Sequence, residues 1–228
     1  MDTFFSYFDE CYVINTLRRK DRWRDTQKEL TKVGAPRIRR FNAVCPREAA
    51  GFPSAGARGC FLSHLGVLRD AQQRELTRIL ILEDDVSFTA DFSLRAEAVI
   101  KGLRSTNWGI FYGGGNFCGE VPVPPEQAVQ TSHFMGIAAP NISSLVTYFE
   151  AILAREPGDP SGGAMHVDGA YSWYRKQHPH IVAIAAVPPL GYQRASRSDV
   201  HAKWFDLVPL VSVAAAMVRR AKSYMRDH

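Results

Sequence analysis

No stretch of this sequence is apolar for the roughly 20 residues that crossing a bilayer takes; the run from Leu207 to Val218 is far shorter and contains Pro209. The opening Met1-Asp2-Thr3 has neither the basic region nor the apolar core of a secretory signal, so a cytoplasmic location is expected. Cysteine is scarce. Cys11, Cys45, Cys60 and Cys118 are widely spaced, and no pair has the short separation of a zinc site or redox dithiol, so all four are expected to be reduced and structural. His166, His178, His180 and His201 lack the helical pair spacing of zinc hydrolases, and no ligand role falls to them. Repeats and low-complexity tracts are also missing. A net charge of +5 favours acidic partners. The arginines are dispersed, however, and there is no zinc finger, RNP-type motif or basic block with interleaved aromatics, so nucleic acid is not an expected partner.

What is present is an ordinary globular composition, 46% hydrophobic and 22% charged over 228 residues, enough for one α/β domain with a substantial core. The expected division is a domain over 1–205 and a basic amphipathic helix over 206–228. Short β-prone runs alternate with helical stretches. Strands are expected at Cys11 to Asn15, Ile38 to Val44, Arg78 to Leu82, Trp108 to Tyr112, His133 to Ala138 and Ile181 to Val187. Helices are expected over Asp25 to Val33, Gly59 to Glu75, Ser93 to Leu103, Ser143 to Ala154 and Gly169 to Gln177. The alternation predicts a mostly parallel, Rossmann-like sheet with helices on both faces, and such sheets bind ligands beyond the carboxyl ends of their strands.

Glu83, Asp84 and Asp85 follow the continuous apolar run Arg78 to Leu82, read as a buried central strand. Three carboxylates at a rigid edge repel one another unless a cation relieves them, and hard oxygen ligands suit Mn2+ or Mg2+. The competing reading has one of the aspartates capping the next turn and the others solvated. Arg18, Arg19 and Arg22 after the first strand suit phosphate oxygens or simply solvate a helix start. Ser63 and His64 sit early in a helix and face either a ligand or the interior.

Three blocks, YVINTLRRKDRW, GCFLSHLGVLRDA and ILILEDDV, occur in an order and at separations that resemble glycosyltransferase family 25, the bacterial lipopolysaccharide glycosyltransferases and their relatives. VDGAYSWY and GYQRASRSDV resemble later blocks of the family more loosely. The chain departs from the pattern at Thr16-Leu17, where members often carry Leu-Asp, and at Ala57-Arg58, where an acidic residue is common. The resemblance implies a GT-A type fold, a UDP-sugar donor, a manganese or magnesium ion, a glycan or lipid-linked saccharide acceptor and inversion at the anomeric carbon. It matches Asp85 to the metal-binding aspartate, with Glu83 as a second metal contact and Asp84 near the sugar or ribose. It places Asn15, Arg19 and Arg22 against the nucleotide.

An inverting transfer needs a base for the acceptor hydroxyl. Asp168 is the first candidate, with helix N-capping as its alternative role, and Asp199 the second. Gln193 and Ser198 are binding candidates on the same late segment. The reading is an inverting transferase that moves a hexose such as galactose onto lipopolysaccharide or another surface glycan. Its rivals are a non-catalytic sugar- or partner-binding descendant of the fold and a metal-dependent phosphohydrolase.

In the tail, Leu207, Leu210, Ala214, Met217 and Ala221 share one helical face, and Arg219, Arg220, Lys222 and Arg226 supply positive charge. The pattern fits either packing on the domain or peripheral contact with anionic membrane at the inner face of the cytoplasmic membrane. If the tail is the anchor, the full chain should co-sediment with anionic vesicles and a chain truncated after Phe205 should not. Equal sedimentation of the two would remove that role.

Overall fold

In the computed structural model, residues 4–35, 38–115, 117 and 121–194 are described. Cys118, Ser198, Asp199, His201 and the 206–228 tail lie outside them.

Alternation along the strands sorts the core into two layers. Tyr12 and Ile14 of β1 (Glu10–Asn15), Ile79 and Ile81 of β3 (Arg78–Glu83), and Met135 and Ile137 of β6 (Phe134–Ala138) join one apolar cluster. Cys11 and Val13, Leu80 and Leu82, and Phe134 and Ala138 join the other. Successive side chains point to opposite faces of a strand, so a sheet whose strands are apolar at every position must be covered on both sides.

One face is covered by α2 (Ala55–Gln73), α4 (Asn141–Ala154) and α5 (Val167–Gln177). The other is covered by α1 (Lys20–Lys32), α3 (Phe92–Arg104) and the short 3-10 turn Phe4–Tyr7. With β2 (Arg39–Asn42), β5 (Ile110–Tyr112) and β7 (Ala183–Ala185), the six strands run in the order β2-β1-β3-β6-β5-β7. β6 alone is antiparallel to its neighbours, β3 and β5; the other pairings are parallel. The expected mixed α/β single domain with a mostly parallel sheet is what the structure shows.

Local departures have physical causes. α1 begins at Lys20, ahead of the expected Asp25; its charged first turn and an Arg19 N-cap without a side-chain cap leave no start signal in the sequence. α2 begins at Ala55 rather than Gly59, where Ser54 accepts a hydrogen bond from the Ala57 amide at 3.0 Å; an N-cap serine starts a helix that the surrounding Gly and Pro obscure. α5 starts at Val167 after His166, which puts Asp168 inside the first turn and not at the N-cap. β4 (Val86–Phe88) and β8 (Gly191–Gln193) form a separate antiparallel pair. Neither is long enough to register as a periodic pattern.

Leu80 on central β3 is fully buried. Leu80→Ala should destabilise the domain by about 2–5 kcal/mol, read as a lower urea midpoint at unchanged slope.

Candidate functional site

The carboxyl ends of β1, β2 and β3 and the start of antiparallel β6 meet at one edge of the sheet. A cleft of about 850 Å³ opens there, walled by the strand ends, the segment after β2, the first turns of α2 and α5, and residues 128–133. Close backbone approach shapes one wall: a Cβ at Gly59 would stand 2.6 Å from the Val44 carbonyl oxygen. The Val44 amide donates to Ser63 Oγ at 2.9 Å, and Ser63 in turn donates to the Gly59 carbonyl at 2.6 Å. Ser63 therefore ties α2 to the segment after β2.

The three clustered carboxylates have different surroundings. Glu83 Oε1 accepts from His64 Nε2 at 3.3 Å, Ser132 Oγ at 3.3 Å and Cys60 Sγ at 3.7 Å. Burial works against its charge, but the hydrogen bonds from His64 and Ser132 help to offset it, and Glu83 stays below its ordinary value. Asp84 accepts from Asn15 Nδ2 at 2.5 Å and from Arg22 at 2.8 Å, and Arg40 donates to Asn15 Oδ1 from behind. The Asp84 carbonyl takes bonds from Thr26 Oγ1 at 2.7 Å and from Arg194 at 2.8 Å.

Asp85 is left less satisfied. Gln193 Nε2 donates to Oδ2 at 3.0 Å and Arg22 stands 3.8 Å from the same oxygen, but Oδ1 is buried with no partner among the described residues. Burial, with the nearby charge of Glu83 adding to it, pushes the Asp85 carboxyl up to about 7.

Asp168 and His133 complete the wall. Ser132 bonds the Asp168 carboxylate, while Asp168 Oδ1 is buried without a partner. Burial raises its proton affinity, with Glu83 adding to the effect. His133 is buried and neither ring nitrogen has a partner among the described residues; burial lowers its proton affinity. Ligand atoms of Cys60, His64 and Glu83 fall within 4.8 Å of one another. Cys60 and His64 both hydrogen-bond Glu83 Oε1, and burial drives the Cys60 thiol well up in pKa.

Residues 8–113 match the model of glycosyltransferase family 25 (LPS biosynthesis protein). The match takes in a little under half of the chain. The chain is 30% identical over 90 residues to the mouse (Mus musculus) "Inactive glycosyltransferase 25 family member 3", covering 39% of this chain and 14% of that protein. It is 27% identical over 129 residues to mouse "Procollagen galactosyltransferase 2", covering 47% of this chain and 21% of that one. The chain thus spans about a fifth or less of these relatives' length. Among solved structures, a glycosyltransferase involved in the glycosylation of the major capsid of PBCV-1 aligns with a TM-score of 0.52 and 11% identity over 83% of this chain and 93% of that one. That likeness speaks to the fold.

Within the segment that matches the family model, Asn15, Ser63, Glu83, Asp84 and Asp85 reach the cleft, as do Arg18 and Arg22. From beyond the segment, Asp168 and Gln193 join them. Two expected donor contacts are placed elsewhere. Arg19 pairs with Asp21 at 2.8 Å and is absent from the cleft wall. His64 is fully buried behind Glu83, with Nδ1 3.2 Å from the Tyr171 hydroxyl. Arg22 is turned toward the carboxylates. Cys45, expected to be structural, is exposed at the cleft. His133 and Arg40 escaped the sequence reading: one precedes β6 with no motif around it, and the other lies in a strand to which the sequence assigns no site role.

A carboxyl whose folded value lies above its ordinary 3.8 stabilises the fold below that ordinary value, and the contribution is lost as pH rises through about 7. Asp85→Asn should therefore melt higher than the wild type at pH 8, and the gap should close as pH falls below about 5. Parallel melting curves across that range would show Asp85 to be no burden if they stayed superimposed.

Proposed function

We propose that this chain transfers a hexose such as galactose, with inversion, from a UDP-sugar to a hydroxyl of lipopolysaccharide or another surface glycan. The observation that carries the reading is one cleft holding two carboxylates, buried Asp85 and half-buried Asp168, each with a buried oxygen that has no partner among the described residues. Its volume of about 850 Å³ lies toward the upper end of small-molecule sites, which suits two substrates side by side.

A divalent cation fits this donor set at Asp85, whose free Oδ1 is a hard oxygen ligand. Glu83 and Asp84 already have protein partners and orient the site from behind, Glu83 being the nearer candidate for a second contact. When bound, Mn2+ or Mg2+ would supply charge neutralisation for a diphosphate. Exposed Arg18 at the cleft suits phosphate oxygens through its planar fork. Asn15 and Gln193 fix Asp84 and Asp85 in place. Asp168 is the proposed base: burial gives its carboxylate the raised proton affinity that accepting a hydroxyl proton near neutral pH requires.

A second reading, a sugar- or partner-binding domain without turnover, draws on the word "inactive" in the names of the mouse and human relatives. Calorimetry and turnover separate the two. UDP should bind more tightly with Mn2+ than with chelator, and Asp85→Asn should abolish that difference. Asp168→Asn should keep UDP affinity and melting temperature while transfer to a glycan acceptor falls by roughly 10²-fold to 10⁴-fold. Metal-dependent UDP binding without any transfer from a panel of UDP-hexoses would favour the binding domain. UDP affinity indifferent to metal in both proteins would remove the cation from the proposal.

A further inference from the structure

Resting on the transferase reading, we infer that the part of the cleft built by residues 128–133 and the first turns of α5 is a subsite for a neutral pyranose, with Trp173 as the platform on which the sugar ring lies. Trp173 is 40% exposed, lines the cleft, and packs against Gly162, where a Cβ would stand 3.0 Å from the indole. The ring is thus supported on backbone and open to the cleft.

A large indole left in contact with water at a cleft wall costs hydration that a ligand can recover. The negative face of an indole attracts the weakly positive C–H face of a pyranose. Hydroxyl recognition is supplied nearby. Asp168 lies on the same helix with one oxygen unpartnered, and buried His133 has both nitrogens unpartnered. A neutral imidazole offers one donor and one acceptor, and a hydroxyl can satisfy either, directly or through a water. Buried polar atoms without protein partners are completed by water or by ligand, and the ligand that suits an acceptor carboxylate, a neutral imidazole and an open indole together is a polyol with an apolar face.

The platform is held at fixed spacing. Ser172 Oγ accepts from the Val129 amide at 3.0 Å, and Arg175 donates to the Pro124 and Gln127 carbonyls at 2.5 and 3.0 Å. α5 and the segment carrying His133 therefore act as one wall. A polypeptide acceptor would be recognised through backbone groups offered along a groove or sheet edge; this wall offers side chains, and its backbone at Val129 is already bonded to Ser172.

The test is fluorine NMR of the full chain labelled with 5-fluorotryptophan, which carries four tryptophans; Trp173→Phe assigns the Trp173 line. Methyl β-galactopyranoside and methyl α-glucopyranoside are titrated into the millimolar range with and without UDP and Mn2+, and a collagen-like peptide forms a separate arm. At least one pyranoside should move the Trp173 line saturably. Calorimetry of unlabelled protein should show that pyranoside weakened about tenfold or more by Trp173→Ala and less by Trp173→Phe, with UDP affinity retained. If UDP binds and no pyranoside moves the line, the subsite is wrong while the transferase reading stands. A line moved by pyranoside in a protein that does not bind UDP keeps the subsite and removes the transferase reading. Movement by the peptide alone overturns the sugar assignment in favour of a polypeptide acceptor.

Discussion

Three consecutive carboxylates at the end of a buried strand cannot all be charged without partners, and the fold is arranged around that constraint. Taking a carboxylate out of water costs several kcal/mol unless it is paired and hydrogen-bonded. Each neighbour of Glu83-Asp84-Asp85 contributes to meeting the cost. α2 brings His64 and Cys60, β1 brings Asn15, α1 brings Arg22 and Thr26, β2 brings Arg40 behind Asn15, and β8 brings Gln193. The small β4–β8 pair has its purpose here: by closing Val86 against Gln193, it returns a distant segment of chain to the acidic edge, and the Arg194 amide then bonds the Asp85 carbonyl at 2.7 Å.

The other half of the cleft depends on one helix. Asp168, Ser172 and Arg175 recur at helical spacing, so they share a face, and all three bind the 121–133 region: Asp168 to Ser132, Ser172 to Val129, Arg175 to the carbonyls of Pro124 and Gln127. Arg175 is 1% exposed. A guanidinium so deep is tolerated because carbonyl oxygens and the Tyr112 ring surround it. A proline-rich connection with little regular structure is thereby given a definite shape beside the site.

The sequence made the sheet legible because its central strands carry consecutive apolar residues, as in Ile79 to Leu82, a pattern suited to a doubly covered sheet, and it made the acidic cluster legible because charge directly after such a strand has few places to go. It did not reveal which of the two aspartates keeps an oxygen without a partner among the described residues. Asp84 and Asp85 are neighbours of the same type, and their difference comes from Asn15 and Arg22 on one side and Gln193 on the other, contacts spanning 62 to 108 positions. Arg19 and Arg22 show the same limit. A basic residue following a strand is equally ready for phosphate, for a local aspartate or for the cluster, and only the path of α1 separates Arg19 on Asp21 from Arg22 on Asp84. His133 was invisible for another reason: its character comes from burial without partners, which leaves no mark in composition or spacing.

Glu83 links the two halves of the cleft. It is the carboxylate whose partners favour ionisation, and its charge appears among the causes that raise Asp85 on one side and Asp168 on the other. The two carboxylates with free oxygens therefore have raised proton affinities in part because the one between them holds its charge. His64 controls this from behind: its hydrogen bond, together with that of Ser132, offsets the burial of Glu83. The fully buried histidine of α2 thus acts at second hand, setting the charge of Glu83 and through it the acidity of groups that it does not itself touch.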